Sequence, residues 1–427
     1  MAKVLYVVLD GAPDGFESPK RTLEEAWKPN LDSLAENCLG GLLYVVEKGV
    51  APESDVAVMS LLGYDPRIYY TGRGPLEALG AGLELREGAV AFRANFATID
   101  VKTREIRDRR VGRSLTTAEA RLLAESLDGM KLDEGKAIAR FKATVGHRGV
   151  LVLEHNYVKL SGNVSNNDPA YVRTGKISVA VKPTSMSLAR VEPLDDSLEA
   201  RTTAELANEF LERAVEILAS HPVNLERSSR GLPPANAILV RDAGDSLPKA
   251  PPARALFGAS IAGVAEMPVE IGLFRALGVE VLQLPQSTSK QEVLEASAII
   301  AAEALEKHDV VYVHLKGPDE PGHDGDFEEK VRAVEDIDSI FFSRILTSIS
   351  REDTLIVVTS DHATPWDKRA HSDDPVPLMI SHPSLPERRG GFSEHHMREG
   401  RLGVIEGGFN VLPLALKLAR ELRSKQR

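Results

Sequence analysis

Apolar residues in this chain fall into two rhythms. Short runs rich in β-branched residues alternate with longer stretches whose apolar positions recur at helical spacing, which predicts an α/β fold with a largely parallel sheet. Val4–Leu9 reads as a buried strand ending at Asp10-Gly11, and Pro29–Asn37 as a helix with proline in its first turn. Thr202 and Glu205 make a capping-box pattern ahead of Leu206, Phe210, Ala214, Ile217 and Leu218, and Ser289 with Glu292 opens another helix running to about Glu306. A strand at Val310–Leu315, a helix from Phe327 to about Ser348, a strand at Leu355–Thr359 and a helix from about Asn410 to Leu422 follow.

The middle of the chain reads differently. β-like runs such as Val90–Thr98 and Val150–Glu154 flank one helix, Thr116–Ser126, and the segment SGNVSNNDP marks loops. An inserted α+β domain, 88–187, is therefore expected inside a core made of 1–87 and 188–427. A length of 427 residues agrees with two domains.

Composition narrows the partners. The formal charge of −11 argues against nucleic acid or an acidic membrane surface, although metals and local cations can still attract a small anion. The single cysteine, Cys38, allows no intramolecular disulfide, fits a reducing compartment and reads as a small buried hydrophobe. The apolar N-terminal run is too short for a signal peptide or a membrane span. A cytoplasmic protein is expected, with its oligomeric state, homo-oligomer included, left open.

Aspartate and histidine recur beside the apolar strands, and ligands of open parallel sheets bind beyond the carboxyl ends of the strands. Asp10 closes LYVVLDG. Asp319 and His323 lie in PDEPGHDGD, after VVYVHL. Asp361 and His362 follow TLIVVTS, and His371 precedes the run VPLMI. A lone aspartate there is more often a turn residue or helix cap, and a lone histidine is more often structural. The set of three aspartates and three histidines suits Mn2+ or Zn2+, with phosphate oxygens completing the shells. Taken singly, His147, His155, His221, His308, His382, His395 and His396 are read as structural, with His395 and His396 as candidates to line the cleft. His314, inside a strand, reads as core or as a support behind the ligands. Ser54, ahead of an apolar helical run, is either a helix N-cap or a nucleophile, and two nearby divalent ions would favour its alkoxide.

Asp10, Ser54, Asp319-x-x-x-His323, Asp361-His362 and His371 together resemble the two-metal, seven-ligand site of the alkaline phosphatase superfamily. Residues 63–82, GYDPRIYYTGRGPLEALGAG, look like the archaeal branch of the cofactor-independent phosphoglycerate mutases, and the insert between Ser54 and the later ligands is as in those enzymes. The resemblance implies a three-layer α/β/α core with a mostly parallel sheet and a smaller inserted domain. It implies one ion held by Asp10, Ser54, Asp361 and His362, and another by Asp319, His323 and His371. Mn2+ is expected, with Zn2+, Co2+ or Mg2+ as alternatives, and no 2,3-bisphosphoglycerate. Ser54 would take the phosphoryl group from 3-phosphoglycerate and return it to the other hydroxyl of glycerate. The insert would act as a substrate-binding lid. Its cations would come from Arg109, Arg110, Arg113, His147 and Arg148, whose forks and rings suit carboxylate and phosphate. Asp108 resembles the acid/base aspartate that a mutase needs. The Gly- and Asn-containing motif around the serine of the bacterial branch is absent. A metal-dependent phosphomonoesterase on the same site is the rival reading. A protein with purely structural metals fits an exposed hydroxyl poorly.

Overall fold

The computed structural model describes residues 2–183, 185–284, 289–386 and 390–425. It divides into two compact units: Met1–Tyr70, Lys249–Glu266 and Leu277–Arg427 form the first, Thr71–Pro248 and Met267–Ala276 the second.

The first unit is built on an eight-stranded sheet. Its strand order is Glu280–Leu282, Ile261–Val264, Val310–Leu315, Lys3–Leu9, Thr354–Thr359, Val376–Ser381, Cys38–Tyr44 and Gly403–Glu406. The first five run parallel, and only Val376–Ser381 is antiparallel to both of its neighbours. Leu5, Val7 and Leu9 share a core with the helix Lys290–Lys307, while the alternate residues Val4, Tyr6 and Val8 are buried as well. That double burial explains why these strands read as unbroken apolar runs rather than as alternating ones. Register then sets the site. Leu9 pairs with Leu315 and Val8 with Thr359, so the loops starting at Asp10, Lys316 and Ser360 leave the same edge of the sheet side by side.

The long helix begins at Phe327 and passes through a π-helical stretch, Ile337–Phe342, before ending at Ser348. Asp338, inside that stretch, accepts from the backbone N–H of Asn30 and Leu31 at 3.2 and 2.8 Å, which satisfies the first turn of the helix Pro29–Glu36. Cys38 is buried, as a small hydrophobe would be. Among the described residues, no helix is long and apolar enough to cross a membrane.

The second unit carries a six-stranded antiparallel sheet. Ala237–Gly244, Val90–Ile99, Arg148–His155, Ala137–Ala143 and Met130–Leu132 lie in that order, with Ile106–Asp108 beside Val90–Ile99. At its centre Phe141 stacks on Phe210 and meets Phe96 edge to face. The unit is wider than the expected insert of 88–187. The helix Leu198–Ala219 brings Phe210 into this core, and Ala237–Gly244 pairs with Val90–Ile99, so both belong here. Residues 267–276 join it because helices meet at two glycines: a Cβ on Gly80 would lie 1.6 Å from Pro268 O, and one on Gly272 1.8 Å from Leu76 O. The helix expected to start at Thr202 starts earlier. Ser197 caps it by accepting from Ala200 N at 3.1 Å, which places Thr202 inside the first two turns.

Candidate metal centre

The strand ends of the first unit converge on three overlapping groups of ligand atoms. Asp319, His323 and His371 form one. Asp10 belongs to two overlapping sets, one with His314 and Asp361 and one with Asp319 and His362. Asp361 Oδ1 accepts from Gly11 N at 3.1 Å, tying the first strand-end loop to the third. Asp361 Oδ2 lies 3.1 Å from His362 Nε2 and 3.4 Å from His314 Nε2. Ser54, the first residue of the helix Ser54–Leu61, places Oγ 3.3 Å from His362 Nε2. Gly11, at φ 60°, cannot be replaced without crowding, since a Cβ would meet Thr364 Oγ1 at 2.6 Å and Asp319 Oδ1 at 2.7 Å.

Each imidazole is oriented from behind. His371 Nδ1 is 2.9 Å from Pro52 O, and His323 Nδ1 is 3.3 Å from Arg369 O; a carbonyl can only accept, so these nitrogens donate. Both Nε2 atoms then face Asp319 Oδ1, at 3.5 Å in each case. Thr364 Oγ1 donates to Asp319 Oδ1 at 2.7 Å and sits 3.0 Å from His362 Nδ1, so the same oxygen accepts from that ring and leaves its Nε2 for a ligand. This is how metal-binding histidines are commonly held.

Electrostatics mark the site as built for cations. Burial pushes Asp10 up to about 6, against the opposing charge of Lys316, whose Nζ is 3.1 Å from Asp10 Oδ2. Burial also pushes on Asp319, but the hydrogen bond to His371 and the charges of His362, His371 and His323 hold it well below the usual carboxylate range. Asp361 is held down in the same manner by His362 and His314. Asp10 Oδ1 is buried without a hydrogen-bond donor among the described residues, 3.5 Å from His362 Nε2. A buried anionic oxygen of this kind, beside imidazole nitrogens freed for coordination, fits a divalent cation.

In the second unit the expected residues meet in part. Asp108 Oδ1 accepts from Arg110 N at 2.7 Å. Arg109 is gripped by the buried Asp168 at 2.7 and 2.5 Å. His147 is brought close to Arg148, Arg110 and Arg113. Burial first, and then these charges together with that of Arg93, push it down to about 4, so it is neutral at pH 7 rather than a cation. Two further arginines lie at the heart of the group. Arg93 and Arg241 face each other across adjacent strands, and Arg241 lies over the Tyr171 ring at 3.6 Å. Burial, followed by the charges of Arg241 and Arg73, lowers Arg93 to about 9. The acids nearby are Glu77, 3.8 Å from Arg93 Nε, and Asp242, 3.6 Å from Arg241 Nε.

Comparison with known proteins agrees with this chemistry. Over 420 residues the chain is 54% identical to the 2,3-bisphosphoglycerate-independent phosphoglycerate mutase of Aeropyrum pernix, covering 97% of this chain and 99% of that one. The chain belongs to this mutase family. The family's model, described as 2,3-bisphosphoglycerate-independent phosphoglycerate mutase, matches residues 35–224. A solved structure of a cofactor-independent phosphoglycerate mutase from Thermoplasma acidophilum is 33% identical, with a TM-score of 0.62, covering 98% of this chain and all 100% of that one. A protein structure from Pyrococcus horikoshii is 29% identical with a TM-score of 0.78, covering 98% of this chain and 97% of that one.

Within this mutase-family chain, the sequence patterns do not single out Thr364, Arg93 or Arg241. For the arginines a signal is present, because each is a cation within a mostly apolar strand. Thr364 follows the strand end by a few residues, as Asp361 and His362 do, but a hydroxyl there carries no metal signature.

Proposed function

We propose that this chain interconverts 3-phosphoglycerate and 2-phosphoglycerate, with Ser54 carrying the phosphoryl group between the two hydroxyls of glycerate. The observation that carries the reading is the position of Ser54 Oγ, 3.3 Å from Nε2 of His362, which shares a group of ligand atoms with Asp10 and Asp319. Asp10, Ser54, Asp361 and His362 would hold one divalent ion, and Asp319, His323 and His371 another, with Mn2+ as the expected metal. When bound, such ions supply positive charge to the phosphoryl oxygens and weaken the serine hydroxyl's hold on its proton.

Ser54 Oγ forms a bond to phosphorus as the bond from phosphorus to the C3 oxygen breaks, and the serine proton is lost as the departing oxygen gains one. The second transfer runs the same exchange toward the C2 oxygen, so the phosphoserine is consumed and serine is restored. Asp108 is assigned the proton exchange with the glycerate hydroxyls. Arg110, Arg113 and Arg148, with Arg93 and Arg241, are assigned to the substrate's carboxylate and phosphate, which suit guanidinium forks. Arg109, already engaged by Asp168, is assigned to holding that group in shape. His147, neutral at pH 7, serves as a hydrogen-bonding group beside them. A cytoplasmic setting belongs to this reading, supported by the lone reduced Cys38.

The test follows 3-phosphoglycerate by phosphorus NMR in the presence of Mn2+. Conversion to 2-phosphoglycerate without inorganic phosphate is expected. Release of inorganic phosphate alone would replace this reading with that of a phosphomonoesterase.

A further inference from the structure

Lys330 takes no part in the chemistry above, yet its side chain is completely buried. Its ammonium donates to Asp14 Oδ1 at 2.7 Å, to Thr364 O at 2.8 Å and to Pro13 O at 3.1 Å, which uses all three of its hydrogens. Pro13 and Asp14 belong to the loop that carries Asp10, and Thr364 to the loop that carries Asp361 and His362. The two loops also join directly, Thr364 N donating to Pro13 O at 3.1 Å. Asp14 secures more of the surroundings, accepting from Thr22 N at 2.7 Å and Trp366 N at 3.2 Å.

Burying an ammonium and a carboxylate is costly, and a well-packed apolar pair of similar volume is often at least as stable. Stability alone therefore explains this choice poorly, and placement explains it better. Lys330 clamps the backbone carbonyl of Thr364, and the hydroxyl of the same residue joins His362 Nδ1 to Asp319 Oδ1 at 3.0 and 2.7 Å. Asp10, Asp319 and His362 share one set of ligand atoms, and in the proposed two-ion assignment His362 holds one ion and Asp319 the other. We propose that Lys330 and Thr364 form a strut that sets the relative position of the two ion sites, as positioning residues that are themselves not ligands.

This inference rests on the two-metal reading, and its test separates the two. Mn2+ uptake by the full chain is titrated by calorimetry, and the visible spectrum of the Co2+-loaded protein reports ligand geometry. Three variants are compared with wild type: Lys330→Met, Lys330→Met with Asp14→Asn so that no buried carboxylate is stranded, and Thr364→Val. The expected result is a loss of metal affinity of about 10- to 100-fold with a shifted cobalt spectrum. Wild-type affinity and an unshifted spectrum in the double variant would overturn the strut. If neither Lys330 variant folds, Thr364→Val decides, since it keeps the backbone carbonyl and removes only the bridge; wild-type metal binding by Thr364→Val would likewise overturn it. A wild-type chain that takes up no Mn2+ overturns the two-metal reading itself, and the strut with it.

Discussion

Arg93 and Arg241 occupy directly opposed positions on two antiparallel strands, with like charges facing each other in a largely buried setting. Such a pair weakens a sheet unless anions accompany it, and the nearest, Glu77 and Asp242, stand 3.8 and 3.6 Å from the two Nε atoms, beyond hydrogen-bond reach. The Nε atoms of both are buried and donate to no acceptor among the described residues. A carboxylate or phosphate from a ligand would meet that need, which is why these arginines are assigned to the substrate.

Replacing Arg241 by methionine should therefore raise KM for 3-phosphoglycerate by roughly 10- to 100-fold, the loss expected for a charge-assisted hydrogen bond of about 1.5–3 kcal/mol. Thermal stability should stay level or rise, because a like-charge contact has been relieved. Steady-state kinetics and a melting curve check this together. A lowered melting point with KM unchanged would mark Arg241 as structural.

Ser54→Ala should lower turnover by at least about a thousandfold, as loss of a nucleophile does, while leaving the ligand groups in place. Acid quenching during turnover, followed by mass spectrometry, should show a phosphoryl group on Ser54 of the wild-type chain. A variant that keeps its activity would remove Ser54 from the role.

Metal uptake should be linked to protons. Burial pulls His371 down, but the hydrogen bond and charge of Asp319 overcome it and raise the imidazole to about 9. Its Nε2 must lose that proton before it can hold an ion. Binding at the Asp319, His323 and His371 group should thus release a proton near pH 7, and its affinity should climb by up to about tenfold per pH step until pH reaches about 9. Titrations in two buffers of different ionisation enthalpy measure the release; an affinity flat over that range would contradict it. In the metal-free protein the sign reverses. A base raised in the fold stabilises it fully below its ordinary pKa of about 6.5, and that support is lost as pH rises through about 9.

Removing metal should also weaken the fold. Asp10, Asp319 and Asp361 crowd one place, and ions that bind only the folded chain add about 2.7 kcal/mol at a hundred times their Kd. EDTA should lower the melting temperature and abolish activity, and Mn2+ should restore both. Melting curves that coincide with and without EDTA would count against tight metal binding.

The Asp and His residues of the candidate metal centre are legible in the sequence because of where they stand. Asp10 and the pair Asp361-His362 each follow a buried parallel strand, and parallel pairing alone brings such ends together. The arginine group is less legible. Whether Arg93 meets Arg241 depends on antiparallel register between distant segments, and nothing in either strand announces the other. For the same reason the expected insert, ending at residue 187, leaves out Ala237–Gly244, which pairs with Val90–Ile99. The capping pattern at Thr202 misleads because a better cap, Ser197, stands one turn earlier. Lys330 gives no signal either, since a lysine in a helix reads as solvated unless loops close over it, and those loops come from distant parts of the chain.

Glu394 offers a last test of the buried charges behind the site. Its Oε1 accepts from Asp14 N at 2.9 Å, and Oε2 has no hydrogen-bond donor among the described residues. Burial raises its carboxyl to about 7; bonds from backbone N–H groups oppose this, Asp14 adds to it and Lys330 offsets part of it. An acid raised in the fold is no burden while protonated, below its ordinary pKa of about 4.5, and it weakens the fold progressively as pH climbs to about 7. Above that the cost levels off, at no more than about 3.5 kcal/mol for a displacement of this size. Glu394→Gln keeps an oxygen for Asp14 N and removes the charge. It should raise the melting temperature at about pH 8 and change it little at about pH 5, where both forms are neutral in the fold. A variant that melts below wild type at the higher pH would show that Lys330 accommodates the ionised carboxylate, and that the buried group carries one cation for two anions without penalty.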